Sequence, residues 1–179
     1  PLGVIDAYRI VKERFPDVQL ALVGSMAHDD PEGWDFYNQT VAYAAGDPDI
    51  YILSNLNNVG SVEVNAFQVH SAAVIQKSIK EGFGLTVTEA LWKTRPTVAS
   101  RVGGIVAQIQ DGETGWLVSS PEDCAQACLE THVDAPRLAA LGNRMQCQAR
   151  GAEGEHRDEQ EVAAEELLRL HERPVGHRR

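Results

Sequence analysis

Apolar residues follow two rhythms along this chain, and the switches between them mark out its elements. From Leu2 to Phe15 they fall at Val4, Ile5, Tyr8, Val11 and Phe15, the spacing of one buried helix face, and Pro16 ends the pattern. Val18 to Val23 is a nearly unbroken apolar run closed by Gly24, which predicts a strand covered on both faces. Polar turn residues from Ser25 to Pro31 lead to a second helical pattern from about Gly33 to Ala45. Gly46-Asp47-Pro48-Asp49 reads as a turn and Ile50 to Leu53 as a short strand. An asparagine-rich loop, Asn55 to Gly60, precedes a helix predicted over Ser61 to Ser71 with Ser61 as its N-cap.

The second half repeats the alternation. A strand over 73–76 leads through Lys77 to Gly84 into a helix from about 86 to 93, which Thr94-Arg95-Pro96 breaks. Thr97-Val98-Ala99 is a strand, Val102-Gly103-Gly104 a glycine turn, and 105–110 a short helical segment. Asp111 to Gly115 is a turn and Trp116-Leu117-Val118 a strand. Ser119-Ser120-Pro121 opens a helix to about His132, and a further helix spans roughly 135–149. This order predicts an α/β fold, a Rossmann-like doubly wound parallel sheet with right-handed crossovers. Ligands of such sheets sit outside the carboxyl ends of the strands. Both glycine turns, 82–84 and 103–104, lie at such ends and are candidates for one crevice.

The domain is read as residues 1–150. Residues 151–179 are a charged tail, expected as a weak helix through Val162, Leu167, Leu168 and Leu170 or as disorder, and no aromatic residue follows Trp116. The 179 residues suffice for one well-cored domain, and a hydrophobic content of 43% is ordinary. A net charge of −10 argues against nucleic acid and anionic membrane surfaces as partners. No apolar run approaches the roughly 20 residues that span a bilayer. Cys124, Cys128 and Cys147 form an odd set with no other ligands beside them. They read as ordinary helix residues of a reduced, cytoplasmic protein, and no metal site is predicted. Pro1 enters a helix without an introductory strand, so at least one element is expected upstream and the chain reads as a fragment.

The chemistry concentrates in Lys80 to Ala90. Gly82 and Gly84 sit in a strand-to-helix turn, where positive φ and close backbone approach come without a Cβ in the way. The helix N-terminus beneath them offers amide donors to an anion such as a diphosphate. Glu81 and Glu89, eight positions apart, bracket the turn and offer acceptors to sugar hydroxyls. The combination reads as a nucleotide-sugar site. Plainer readings stand beside it: Thr86-Val87-Thr88-Glu89 fits a capping box, Glu81 a solvated loop carboxylate, and Gly103-Gly104 a tight turn. Lys77 and Lys80 read as surface charges, with a phosphate role as the alternative for Lys77. Two carboxylates converging on one glycine turn favour the site. His28 and His70 have no adjacent carboxylate or serine and read as surface or helix residues, and Trp34, Trp92 and Trp116 as core or interface residues. A dinucleotide fingerprint is missing, since Thr86-Val87 follows Gly82-Phe83-Gly84 where a third glycine is required.

Glu81 and Glu89, with Gly82-Phe83-Gly84-Leu85 between, resemble the E-x7-E signature of retaining glycosyltransferases of the glycogen-synthase and sucrose-synthase type. Those are two-domain GT-B enzymes whose C-terminal half binds the nucleotide sugar. Longer strings resemble the trehalose glycosyltransferring synthases: Gln76 to Leu85, Trp92-Lys93, Gly103-Gly104-Ile105, Gln108 to Gly112, and Val23 to Trp34. The resemblance covers about residues 1–145. It implies the C-terminal domain of a GT-B enzyme, lacking the N-terminal domain. It implies transfer of glucose from a nucleoside-diphosphate glucose, ADP- or UDP-glucose, to free glucose. The product is α,α-trehalose with retention at the donor carbon, and no metal or cofactor is required. By the same resemblance Glu81 is the catalytic residue that holds donor hydroxyls, and Glu89 binds the ribose hydroxyls. Gly82, Phe83, Gly84, Leu85 and Thr86 line the sugar-diphosphate path, with Lys77 and Gly104 beside them.

The chain also departs from that family. The Arg and Lys that hold the diphosphate belong upstream of Pro1, and Ala107 stands where many wider relatives carry a carboxylate, as the trehalose-forming group does not. The tail lacks the aromatic-rich helix expected at the family's C-terminus. The fragment is therefore expected to be inactive alone, since transfer needs an acceptor held against the donor. Its partners would be the donor, glucose and its own N-terminal domain, and a face shaped for that domain favours self-association as a homodimer. Base contacts are expected near Asn57 to Val62. Two alternatives remain at this point: another retaining hexosyltransferase with a different acceptor, and a standalone nucleotide-binding module without catalysis.

Overall fold

The computed structural model describes residues 1–27 and 29–133, so His28, the helix expected over 135–149 and the tail at 151–179 lie outside the described residues. Helices and strands alternate along it. They are α1 (Leu2–Arg14), β1 (Leu20–Val23), α2 (Pro31–Ala44), β2 (Ile50–Leu53), α3 (Ser61–His70), β3 (Val74–Gln76), α4 (Leu85–Trp92), β4 (Thr97–Ser100), α5 (Ile105–Gln108), β5 (Trp116–Val118) and α6 (Pro121–Val133). All strand pairs are parallel, as expected of an α/β chain in which helices make the crossovers. The backbone ladder comes in two parts: β1 pairs with β2, while β4 lies between β3 and β5. Val98 is opposite Ile75 on one side and Trp116 on the other.

Two apolar clusters hold these parts together. Val4, Ile5 and Tyr8 of α1 pack with Leu20 and Ala44. Ala7 and Val11, further round the same helix, join Val87 and Leu91 of α4, Val98, Ala99, Ile105, Leu117 and Cys124. Val18 and Ile75 touch both clusters, so side chains span the gap between the ladders. Ile5 and Ile105 are fully buried, each worth about 1.5–3 kcal/mol of transfer free energy. Both β4 and β5 are buried along their whole length, with α4 and α6 each touching β4. Lys12 ties α1 to the turn after α2, with its ammonium 2.9 Å from both Asp47 and Asp49 carboxylates and 2.7 Å from the Tyr8 hydroxyl.

Several local expectations are corrected. The β1 run is not covered on both faces: Leu20 is buried and Leu22 half-buried, but Ala21 and Val23 are exposed, as is Tyr51 on β2. Only the face toward α1 is filled among the described residues, and the outward-facing residues of β1 are as apolar as a buried set would be. Helix α2 starts at Pro31 rather than Gly33, because Asp30 caps it by accepting the Gly33 N–H at 3.0 Å and Pro31 fits the first helical position. The N-cap of α3 is Gly60, not Ser61. The Glu63 carboxylate reaches back and accepts the Gly60 N–H at 2.8 Å, the half of a capping box that needs no side chain on the cap residue itself. Helix α4 ends in a Schellman turn, Thr94 N–H to Leu91 and Arg95 N–H to Ala90, with Thr94 at φ +55°.

Candidate functional site

The loop between β3 and α4 is built against the second glycine turn, backbone to backbone. The Gly104 N–H donates to the Glu81 carbonyl at 3.3 Å. A Cβ on Gly103, at φ +50°, would sit 1.8 Å from that same carbonyl oxygen, and one on Gly104 would sit 2.3 Å from the Gly82 carbonyl oxygen. Only hydrogen fits at either position. Gly84 is the N-cap of α4 at φ +89°, and a Cβ there would lie 2.9 Å from Ile105 Cγ1. Gly82 differs: a Cβ on it would meet nothing within 4 Å, so the expected need for a bare backbone holds at Gly84 and not at Gly82. Gln108 of α5 locks the arrangement, donating to the Phe83 carbonyl and accepting the Thr88 hydroxyl at 2.7 Å.

The α4 N-terminus is thereby fixed at the carboxyl ends of β3 and β4. Val87 and Thr88 N–H groups turn back to the Gly84 carbonyl at 2.9 and 3.4 Å. The Leu85 and Thr86 amides stand at the mouth of the helix, where its partial positive charge is greatest. Glu81 lies three residues before the cap, half-buried, and its Oε2 is 3.4 Å from Gln76 Nε2 and 3.5 Å from the Ser78 hydroxyl, two long, weak contacts. Gln76 Nε2 also donates to Ser78 Oγ at 2.9 Å. Glu89, in the second turn of α4, is exposed and accepts from Gln68 Nε2 at 2.7 Å. That bond overturns the capping-box alternative, because the cap is Gly84 and the Glu89 carboxylate points to α3 instead.

The structure thus brings Glu81, Gly82, Phe83, Gly84, Leu85, Thr86 and Gly104 together around one loop and one helix end, with Glu89 on the same helix. Lys77 is set apart, its Cε 3.8 Å from where a Gly3 Cβ would be, beside the start of α1. Ile79, Phe83 and Leu85 are exposed at 92%, 56% and 69%, so the loop presents apolar side chains outward. Trp116 is buried, whereas Trp92 is exposed, the latter consistent with an interface and not a core. Sequence reasoning missed the supporting polar set of Gln68, Gln76, Ser78 and Gln108. Gln76, Ser78 and Gln108 fall inside the strings that carry the family resemblance, but Gln68 sits in an unremarkable helical stretch with no local signal. Cys124 and Cys128 are free thiols on α6, and a hydrogen bond between them lowers the pKa of Cys124 and raises that of Cys128. No helix among the described residues is long and apolar enough to cross a membrane.

Comparison with known proteins adds an independent line. Residues 3–134 match the family of glycosyl transferases group 1. Over 144 residues the chain is 60% identical to the trehalose synthase of Rubrobacter xylanophilus, covering 80% of this chain and 34% of that enzyme. HepE from Anabaena, solved in complex with UDP and glucose, superposes with a TM-score of 0.67 at 18% identity, over 80% of this chain and 39% of its own. The C-terminal domain of LpcC, a group 1 glycosyl transferase from Francisella tularensis, gives 0.67 at 22% identity, over 84% of this chain and 77% of its own. The structural likeness shows the fold, that of GT-B glycosyltransferases. The chain spans about a third of the length of the curated relative it matches.

Proposed function

This chain belongs to the group 1 glycosyl transferases, and from that premise we propose that it is the donor-binding part of a retaining enzyme. The reaction moves glucose from a nucleoside-diphosphate glucose to glucose and forms trehalose. The observation that carries this reading is the contact of the two glycine turns, which sets Glu81, the 82–84 loop and the amide end of α4 side by side at the strand ends. The name of the Rubrobacter relative, at 60% identity, supports the trehalose product, and the UDP and glucose bound in the HepE structure support a nucleotide-sugar donor.

In this reading the Leu85 and Thr86 amides face the diphosphate, where negative charge grows as the sugar leaves. Donors fixed by a helix and locked by Gln108 stabilise that charge without reorganising. Glu81 holds donor hydroxyls and favours the positive charge that builds at the anomeric carbon. Glu89 accepts from the ribose hydroxyls. The exposed Ile79, Phe83 and Leu85 face the acceptor-binding remainder of the enzyme, without which the chain has no transfer activity.

Calorimetric titration of the chain with UDP-glucose and ADP-glucose tests the site. The wild type binds at least one of them, and Glu89→Ala weakens that binding about tenfold or more, the worth of a charge-assisted hydrogen bond. Equal affinity in both proteins would remove Glu89 from the site.

A further inference from the structure

We propose that Gln68 is a positioning residue that fixes the Glu89 carboxylate for recognition of the nucleotide's ribose. This rests on the reading of Glu89 given above. Gln68 is the one buried residue of α3. It is 6% exposed, while two apolar residues of the same helix, Val62 and Phe67, are exposed at 74% and 38%. A helix that turns its glutamine inward and apolar side chains outward has not placed that glutamine for packing. Its Oε1 is buried without a hydrogen-bond partner among the described residues, a destabilising arrangement that an apolar side chain of similar length would avoid. What the glutamine supplies in exchange is its Nε2 donor, 2.7 Å from Glu89 Oε2. The nitrogen must be the atom that faces Glu89, because an ionised carboxylate only accepts.

The chemistry suits a hydroxyl-reading carboxylate. An exposed glutamate on a helix samples several rotamers, and a ligand that needs one of them loses affinity in ordering it. Gln68 selects the orientation beforehand, from the buried side. As a neutral amide it leaves the negative charge in place, whereas a lysine or arginine would pair with it. Among the described residues Glu89 Oε1 has no hydrogen-bond partner, so it is left to accept from the ribose.

The experiment measures affinity of the chain for UDP and ADP, each against its 2′-deoxy and 3′-deoxy counterpart, with thermal midpoints of every variant. The wild type prefers a ribonucleotide over at least one of its deoxy forms by about tenfold. Gln68→Met, which fills the same space without a donor, loses that preference while its Tm holds or rises, a combination that a packing role would not produce. Gln68→Asn keeps a buried amide one methylene short of Glu89 and loses the preference too, which decides the matter should the methionine variant fail to fold. If Glu89→Ala abolishes the preference and both Gln68 variants retain it, Gln68 has no positioning role and the Glu89 reading survives. If the wild type itself shows no preference for ribose, the Glu89 reading fails and takes the Gln68 proposal with it.

Discussion

Replacing Gly104 by alanine separates steric fit from backbone strain. Gly104 has φ −67° and ψ −15°, a conformation alanine adopts freely, so reduced unfolded-state entropy favours the variant by about 0.4–1 kcal/mol. Against that, its Cβ would lie 2.3 Å from the Gly82 carbonyl oxygen and 3.0 Å from Phe83 Cα, backbone atoms that cannot rotate away. A contact this short with backbone belongs at the upper end of the cost of overpacking, about 2–3 kcal/mol, for a net loss of about 1–2.5 kcal/mol. In a domain of this size that is a fall in Tm of roughly 3–10 °C. Relief requires the 81–84 loop to move off the second glycine turn, so affinity for UDP-glucose or ADP-glucose falls with the Tm. Two controls isolate the cause. Gly46→Ala meets open space at φ +72°, so it loses about 1–2 kcal/mol from strain alone and keeps its affinity. Gly82→Ala meets neither obstacle and keeps its stability within about 0.5 kcal/mol of wild type. Scanning and titration calorimetry read both quantities. A Gly104→Ala protein matching wild type in Tm and affinity would refute the account of how the two turns fit.

Two more expectations concern stability. Thr94 is β-branched at φ +55° in the Schellman turn after α4, so Thr94→Gly raises stability by about 1 kcal/mol, read as a higher denaturant midpoint at unchanged slope; a lower midpoint would mean that the threonine side chain contributes more than its strain costs. The Asp49 backbone N–H and then the Lys12 ammonium hold the Asp47 carboxyl below its ordinary value. A depressed carboxylate contributes stability above its unfolded pKa, about 4, and loses it as pH falls below that. Wild-type Tm therefore drops more steeply between about pH 4 and 2 than that of Asp47→Asn, and parallel acid limbs would count against the ion pair.

Most elements were legible because Gly and Pro fall at their ends: the Ile50–Leu53 and Trp116–Val118 strands match their expected bounds. Errors gathered where two residue types perform the same task. Gly60 caps α3 with its own N–H held by the Glu63 carboxylate, and nothing local distinguishes that from a capping Ser61. The site's frame was legible because glycine spacing reports backbone demand directly. Its contact with the second turn was foreseen only as a shared crevice, since which carbonyl meets which glycine depends on the approach of two loops about twenty residues apart. Gln68 was illegible for a related reason. One polar residue in a weakly patterned helix says nothing of what lies across from it, and its partner is 21 positions away.

The break between the two strand ladders has a mechanical consequence. Where strands share hydrogen bonds, one can move past the other only in whole steps of register. Val18, Ile75 and the inward side of α1 bridge the break through apolar contact, and dispersion has no preferred direction, so no register holds this boundary in steps. Strain imposed at the β1–β2 side is therefore expected to reach the glycine loop softened.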